Sequence, residues 1–270
     1  MTSLKLMSWN IQEGGDARLD AIAALIGAQK PDCVALLEVD GLGNAEALAS
    51  ELRMALTYGE ANCPSAVAWL TTQPPVKAEN HRLPQLAKTL LEIELEWSGA
   101  PLRLFATHLG SRWNIQQPAD EVVTILQVLE RSGVDRHVLA GDMNALRPGD
   151  PVGTPPAGEA RRGDAVDGAP RVAIRRMLEA GYVDCFRRLH PRRGGFTYLS
   201  QWPWLRLDYI FASPGLAPNV DRCDVIDSRL ARRASDHLPV WAELSQTTTN
   251  SVAIGAPAIF RRRWRAKAQS

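Results

Sequence analysis

Six short apolar runs in this chain each meet, at one end, a residue that can handle protons, metals or phosphates. The run 4–9 leads to Asn10, 34–37 to Glu38, 102–107 to His108, and 137–141 to Asp142, with Asn144 two further on. The order then reverses, because Asp208 precedes 209–212 and Asp236-His237 precede 238–244. If the last two runs are strands antiparallel to the earlier four, all these groups lie on one rim of a sheet assembly. Such a rim holds four carboxylates, two imidazoles and two amides. That set suits metal-assisted attack on phosphorus.

Each fragment also has a plainer reading. Gly141-Asp142-Met143-Asn144 follows a buried-strand signature, so both polar side chains emerge where the strand stops. Asp142 can there orient or deprotonate a water, and Asn144 can hold that water or a phosphoryl oxygen; an Asx turn is the alternative. In Ser235-Asp236-His237 the carboxylate suits Mg²⁺ and the imidazole suits a phosphoryl oxygen, against a turn Asp beside a half-buried His. Asp208 stands in so apolar a stretch that it needs a partner, either a histidine or a structural base such as Arg206. Asn10 as a strand-end cap and Glu38 in a helix-facing salt bridge complete the alternatives, and Thr107-His108-Leu109 is as ambiguous between structure and function.

The elements that position these residues alternate in the first half. Leu19, Ile22, Ala23 and Ile26 share a helical face before Pro31, and residues 45–56 predict a second helix with Leu48, Leu52 and Leu56 in line. Residues 118–132 predict a third, opened by Pro118 and striped by Val122, Ile125, Leu126 and Leu129, and 172–180 a fourth before Gly181. Strands are expected at 66–70, 90–97 and 101–107, with a hairpin turn at Ser98-Gly99-Ala100. Residues 147–170 form a long Gly- and Pro-rich loop directly after Asn144, functional or disordered by its length.

At 270 residues and 45% hydrophobic the chain can bury a large core. The net charge is +1, but 245–270 carries Arg261, Arg262, Arg263, Arg265 and Lys267 with no acid, which leaves −4 on the remainder. The body is therefore not a general nucleic-acid-coating protein, and an acidic cation site contributes to that balance. Cys33, Cys63, Cys185 and Cys223 have no metal-ligand spacing, and no run reaches the ~18 apolar residues of a membrane span. These features predict a cytoplasmic protein of residues 1–245 with a flexible basic tail, 246–270.

Taken together, Asn10 in SWNIQ, Glu38 in LLEVD, THL at 107–109, GDMN at 141–144, LDYIF at 207–211 and SDHLP at 235–239 resemble the endonuclease/exonuclease/phosphatase superfamily. DNase I, exonuclease III-type apurinic endonucleases, neutral sphingomyelinases and inositol polyphosphate 5-phosphatases belong to it, and the match spans roughly 4 to 244 in the family's order. The resemblance implies an α/β, four-layer sandwich: two packed mixed β-sheets flanked by helices, DNase I-like, with the site at one edge. By position, Glu38 corresponds to the principal Mg²⁺ ligand, with Asn10 and Asp236 also at the metal and Mn²⁺ as a substitute. Asp142 corresponds to the residue that activates water, Asn144 to the one that orients it, and the His237–Asp208 pair to the group on the scissile phosphate. His108 matches the DNase I-like histidine that assists the leaving group. Leu37 replaces the Gln common before the metal-binding Glu, and Ser65-Ala-Val-Ala-Trp69-Leu-Thr-Thr replaces the usual Tyr-Gly strand ending Ser-Arg. Both departures bear on substrate.

The expected activity is metal-dependent hydrolysis of a phosphodiester, with nucleic acid as substrate and Arg112, Trp204 and Arg206 as substrate contacts. Trp113 and Trp202 are further candidates, since Trp202-Pro-Trp204 can form a stacking platform as readily as it can pack at a loop corner. The alternative is a phosphodiesterase or phosphatase on a lipid headgroup or inositol phosphate, with the tail's Phe260 and Trp264 on an anionic membrane surface. A catalytically silent binding module is the third reading, and the intact residue set argues against it. No protein partner is legible in the sequence.

Overall fold

The first strand, β1 (Leu4–Asn10), is buried almost throughout because its two faces are both covered, Leu4 and Leu6 by the opposite sheet and Met7 and Trp9 by helices. On one side it pairs in parallel with β2 (Cys33–Asp40), on the other antiparallel with β12 (Val240–Leu244). The computed structural model describes residues 3–110, 116–157 and 171–246. β11 (Val220–Val225), β4 (Ser65–Thr71) and β3 (Ala55–Gly59) complete this first sheet, in the order β11-β12-β1-β2-β4-β3. The second sheet runs β5-β6-β7-β8-β10-β9, from β5 (Lys77–His81), β6 (Leu90–Trp97), β7 (Ala100–His108), β8 (His137–Asp142), β10 (Asp208–Ala212) and β9 (Val183–Asp184).

The two sheets bury their inner faces against each other through Leu37, Val67, Trp69, Leu104, Ala106, Ile210 and Ala242. Helices α1 (Leu19–Gln29) and α2 (Leu42–Leu52) cover the outer face of the first sheet, where Ile22, Ile26 and Leu48 meet Met7, Trp9 and Leu36. Helices α3 (Gln116–Ser132) and α4 (Arg171–Glu179) cover the second, bringing Val122, Ile125, Leu129, Ile174 and Met177 onto Phe105, Leu139 and Phe211. The four layers are therefore helix, sheet, sheet, helix, as expected. Two short helices, α5 (Cys185–Leu189) and α6 (Arg229–Ala234), start on Asp184 and Ser228, whose side chains accept from backbone N–H groups.

Differences from expectation lie at edges. The helix expected over 45–56 stops at Leu52, because Arg53 turns left-handed (φ 53°) and Leu56 goes to edge strand β3. The four-residue spacing of Leu48, Leu52 and Leu56 continues across that break by coincidence. β5 was not foreseen, since Lys-Ala-Glu-Asn-His has no apolar alternation. It is mostly exposed and held by main-chain pairing to β6. Residues Ser98 and Gly99 do make the hairpin turn, both at positive φ.

Candidate active site

The strand directions place the site. β10 is antiparallel to β8 and β12 antiparallel to β1, so the starts of β10 and β12 stand beside the ends of β1, β2, β7 and β8. In register, Asp142 faces His108 on one side and Asp208 on the other. Gly141 makes this possible: it lies at φ 155°, and a Cβ there would sit 1.9 Å from the Thr107 carbonyl oxygen. At Glu38 the β2–β4 register shifts between Leu37 and Val39, and Glu38 itself has φ 56°. A bulge of this kind re-aims a side chain, here toward the rim.

The carboxylates are tied together across the two sheets. Asn10 donates through Nδ2 to Glu38 Oε1 (2.9 Å) and to Asp142 Oδ2 (3.3 Å). Its Oδ1 accepts from the Gln12 N–H (3.0 Å), and the Glu13 N–H donates to Glu38 Oε2 (3.3 Å). Residues Gln12, Glu13, Gly14 and Gly15 are all at positive φ, which aims these amides back at the site. Asn10 thus acts here as a carboxylate-holding amide, with the oxygen a metal ligand would use turned to Gln12.

His237 hydrogen-bonds through Nδ1 to Asp208 Oδ2 (2.8 Å), and its Nε2 is 3.8 Å from Asp142 Oδ2. Its backbone is anchored too: the carbonyl accepts from Trp9 Nε1 (3.0 Å) and the N–H donates to Ser235 Oγ (3.1 Å). Burial alone would lower its pKa, yet the charges of Asp208 and Asp142 push it up to about 10. The ring is an imidazolium at neutral pH. Asp142 is pushed up to about 6, by burial and then by the charge of Asp208.

His108 is the opposite case. Burial, then the positive charges of Lys88 and His237, hold its pKa well below the usual imidazole range. Its Nε2 lies 3.1 Å from Asn144 Nδ2 and 3.4 Å from Asp142, and its Nδ1 is 3.8 Å from Glu38. Nε2 thus meets both a donor, the Asn144 amide, and an acceptor, Asp142, while Nδ1 has no hydrogen-bond partner. Asn144 also receives its anticipated Asx turn, its N–H donating to Asp142 Oδ1 (2.8 Å). That turn leaves both side chains at the rim, beside His108.

A divalent cation fits this site. Burial raises the Asp236 pKa, and the charges of Glu38 and Asp208 raise it further, while one oxygen of buried Asp208 has no hydrogen-bond partner. Asp142, Asp208 and Asp236 thus crowd one imidazolium and Glu38 stands against Asp236, an excess of hard oxygen donors that a cation would relieve. Asp142, Asp208 and His237 place potential ligand atoms within 4.8 Å of one another. The ring's charge and its bond to Asp208 make the carboxylate side the better cation locus.

Two expected substrate contacts are interior residues. Arg206 is 1% exposed and is held by Asp150 Oδ2 (2.7 Å) and Asp184 Oδ2 (2.6 Å), with Tyr209 beneath it. Trp204 is fully buried with Leu146, Leu205 and Leu207. A loop arginine and tryptophan beside a strand look alike in sequence whether they face solvent or a buried acid, and Asp150 is remote along the chain. Trp202 is 57% exposed and pinned by an Nε1 bond to Thr154 O (2.9 Å). Arg112, Trp113 and the tail beyond residue 246 lie outside the described residues. Lys88, which no sequence reading singled out, approaches the rim through its Nζ bond to Leu109 O (3.4 Å). The signal was the hairpin register: carried past Leu90–Thr107, it faces Lys88 with Leu109.

This fold and this rim define a class. The family model "Endonuclease/Exonuclease/phosphatase family" matches residues 7–237, and the chain belongs to that family. Among solved structures, an AP endonuclease from Archaeoglobus fulgidus superposes with TM-score 0.71 at 21% identity, over 88% of this chain and 98% of that one. The 3′-5′ exonuclease NExo from Neisseria meningitidis gives 0.70 at 20%, over 90% and 100%. D. rerio TDP2 complexed with single strand DNA product gives 0.66 at 20%, over 91% and 100%. At these identities the likeness is one of fold. No curated protein sequence matches the chain.

Proposed function

We propose that residues 1–245 form a divalent-metal-dependent phosphodiesterase that cleaves nucleic acid by in-line attack of water, with Mg²⁺ as cofactor and Mn²⁺ as a substitute. One observation carries the reading: His237, fixed through Nδ1 by buried Asp208 (2.8 Å), holds Nε2 3.8 Å from the carboxylate of Asp142. That is a donor for a phosphoryl oxygen next to an acceptor for the proton of water. Asp208 holds the ring so that Nε2–H is free to donate. Asn144 orients the water, and neutral His108 orients Asn144 through Nε2, which brings it to the leaving side indirectly. Glu38 and Asp236 would hold the cation, with Asn10 fixing Glu38. A bound divalent cation supplies neutralisation of the charge that develops on the phosphoryl and leaving oxygens.

Nucleic acid is favoured by the family and by neighbours described as an AP endonuclease, a 3′-5′ exonuclease and a TDP2 bound to single strand DNA product. A cytoplasmic setting is supported by four free cysteines, and among the described residues no helix is long and apolar enough to cross a membrane. The test is the purified protein with Mg²⁺ or Mn²⁺ against supercoiled plasmid, abasic duplex, single-stranded DNA, RNA, sphingomyelin and inositol phosphates. Cleavage of a nucleic acid is expected, with Glu38→Ala and His237→Ala each about a hundredfold slower or more. Activity confined to lipid or inositol substrates, or undiminished in both variants, overturns the reading.

A further inference from the structure

We propose that Lys88 is a further catalytic residue, a cation that binds a non-bridging oxygen of the phosphoester being cleaved. The proposal rests on the hydrolase reading above. Lys88 lies on the connection from β5 to β6, and its Nζ donates to Leu109 O (3.4 Å). Asn144 Nδ2 donates to the same carbonyl (3.1 Å), while the Leu109 N–H donates to Asp142 O (2.9 Å). The ammonium and the Asn144 amide therefore converge on one atom at the rim.

The backbone that carries Lys88 is held there. Buried Glu121 accepts from the Ala87 N–H (3.0 Å) with one oxygen and from the Gly110 N–H (2.8 Å) with the other. That carboxylate clamps the segments on both sides of the Lys88–Leu109 contact, and Lys88 O accepts from the Asn62 N–H (3.2 Å). The side chain, by contrast, is under-used. An ammonium has three donors, and the one bond found for it among the described residues is long and ends on a neutral carbonyl. After burial, which disfavours its charge, the strongest influences on it are the carboxylates of Asp142 and Glu38.

A cation fixed at the edge of an acidic site, near its carboxylates yet in no described ion pair, is arranged for a phosphate oxygen entering between them. A tether for the 82–89 connection is the competing role, and Glu121 already supplies that. Lys88 adds charge where His108 is neutral and cannot.

The test compares Lys88→Met and Lys88→Arg with the parent protein in three measurements. With Mg²⁺ or Mn²⁺, kcat and KM are measured on bis(p-nitrophenyl) phosphate and on a labelled oligonucleotide. Binding of inorganic phosphate is measured by calorimetry, and thermal unfolding by circular dichroism. We expect Lys88→Met to lower kcat on both substrates about tenfold to a hundredfold. Phosphate binding should weaken about tenfold while the melting temperature holds, and Lys88→Arg should recover most of both losses. Unchanged phosphate affinity in Lys88→Met overturns the proposal whether or not turnover is detected. So does a loss of kcat that only follows a fall in melting temperature. If the parent hydrolyses no phosphoester, the hydrolase reading fails, and the phosphate measurement still decides Lys88.

Discussion

Asp142 and Asp208 are register partners on neighbouring antiparallel strands, so two buried carboxylates face each other at the rim. Like charges placed directly opposite across a ladder destabilise a sheet. The imidazolium of His237, bonded to one and near the other, is what makes the pair tolerable.

This arrangement predicts a pH dependence. A histidine whose folded pKa is raised to about 10 stabilises the fold fully below its unfolded value of about 6.5, and that contribution is lost as pH rises toward 10. Asp208→Asn should bring the folded pKa down and flatten this loss. Histidine titration by NMR in chelator, paired with urea denaturation across pH 6 to about 10, reads both. A His237 that titrates unchanged in Asp208→Asn contradicts the pairing.

Arg206 neutralises Asp150 and Asp184 inside the protein. Arg206→Met removes the cation shared by two buried carboxylates, leaving Asp150 to Arg187 (2.9 Å) and Asp184 to Arg147 (3.8 Å), and should cost about 3 kcal/mol. Adding Asp150→Asn and Asp184→Asn should return part of it, as measured by chemical denaturation. A surface role in substrate binding would instead change KM with stability untouched.

Gly141→Ala should destabilise by about 2 kcal/mol or more, because its Cβ has no room against the Thr107 carbonyl. Asp142 would shift with the strand end, so residual activity should fall further than the melting temperature explains. An active, equally stable Gly141→Ala protein would show that β7 and β8 can separate freely.

Stacking on a base is open to Trp202 and closed to buried Trp204. Trp202 is exposed, and its loop is pinned to the site: the Ser200 N–H donates to Asp236 O (2.6 Å) and Ser200 Oγ to Ser235 O (2.5 Å). Trp202→Ala should weaken single-stranded DNA binding by about 1–3 kcal/mol and Trp202→Phe much less. Fluorescence titration in chelator measures this, and bis(p-nitrophenyl) phosphate turnover should be unaffected. Equal DNA affinity in all three proteins removes Trp202 from the interface.

The rim was legible because chemistry interrupts apolar strands: Glu38 after Leu36-Leu37 and Asp208 before Tyr209-Ile210 are out of place in a core. Strand directions then followed from which side of each run carried the polar group. Burial of loop residues was not legible, since it depends on partners far along the chain, as Arg206 and Asp150 illustrate. Edge strands such as β5 left no period to detect, because pairing alone defines them. Lys88 lay within reach of a register count that the Ser98–Gly99 turn already permitted.

The bonds that close the rim join distant parts of the chain: Trp9 to His237, Asn10 to Ser235, Asn10 to Asp142. An emerging polypeptide that has not yet released β12 therefore lacks both the ring that carries the proton and the strand that flanks β1. Among the described residues these are the most C-terminal parts of the sandwich, so the rim can close only after β12 has paired with β1.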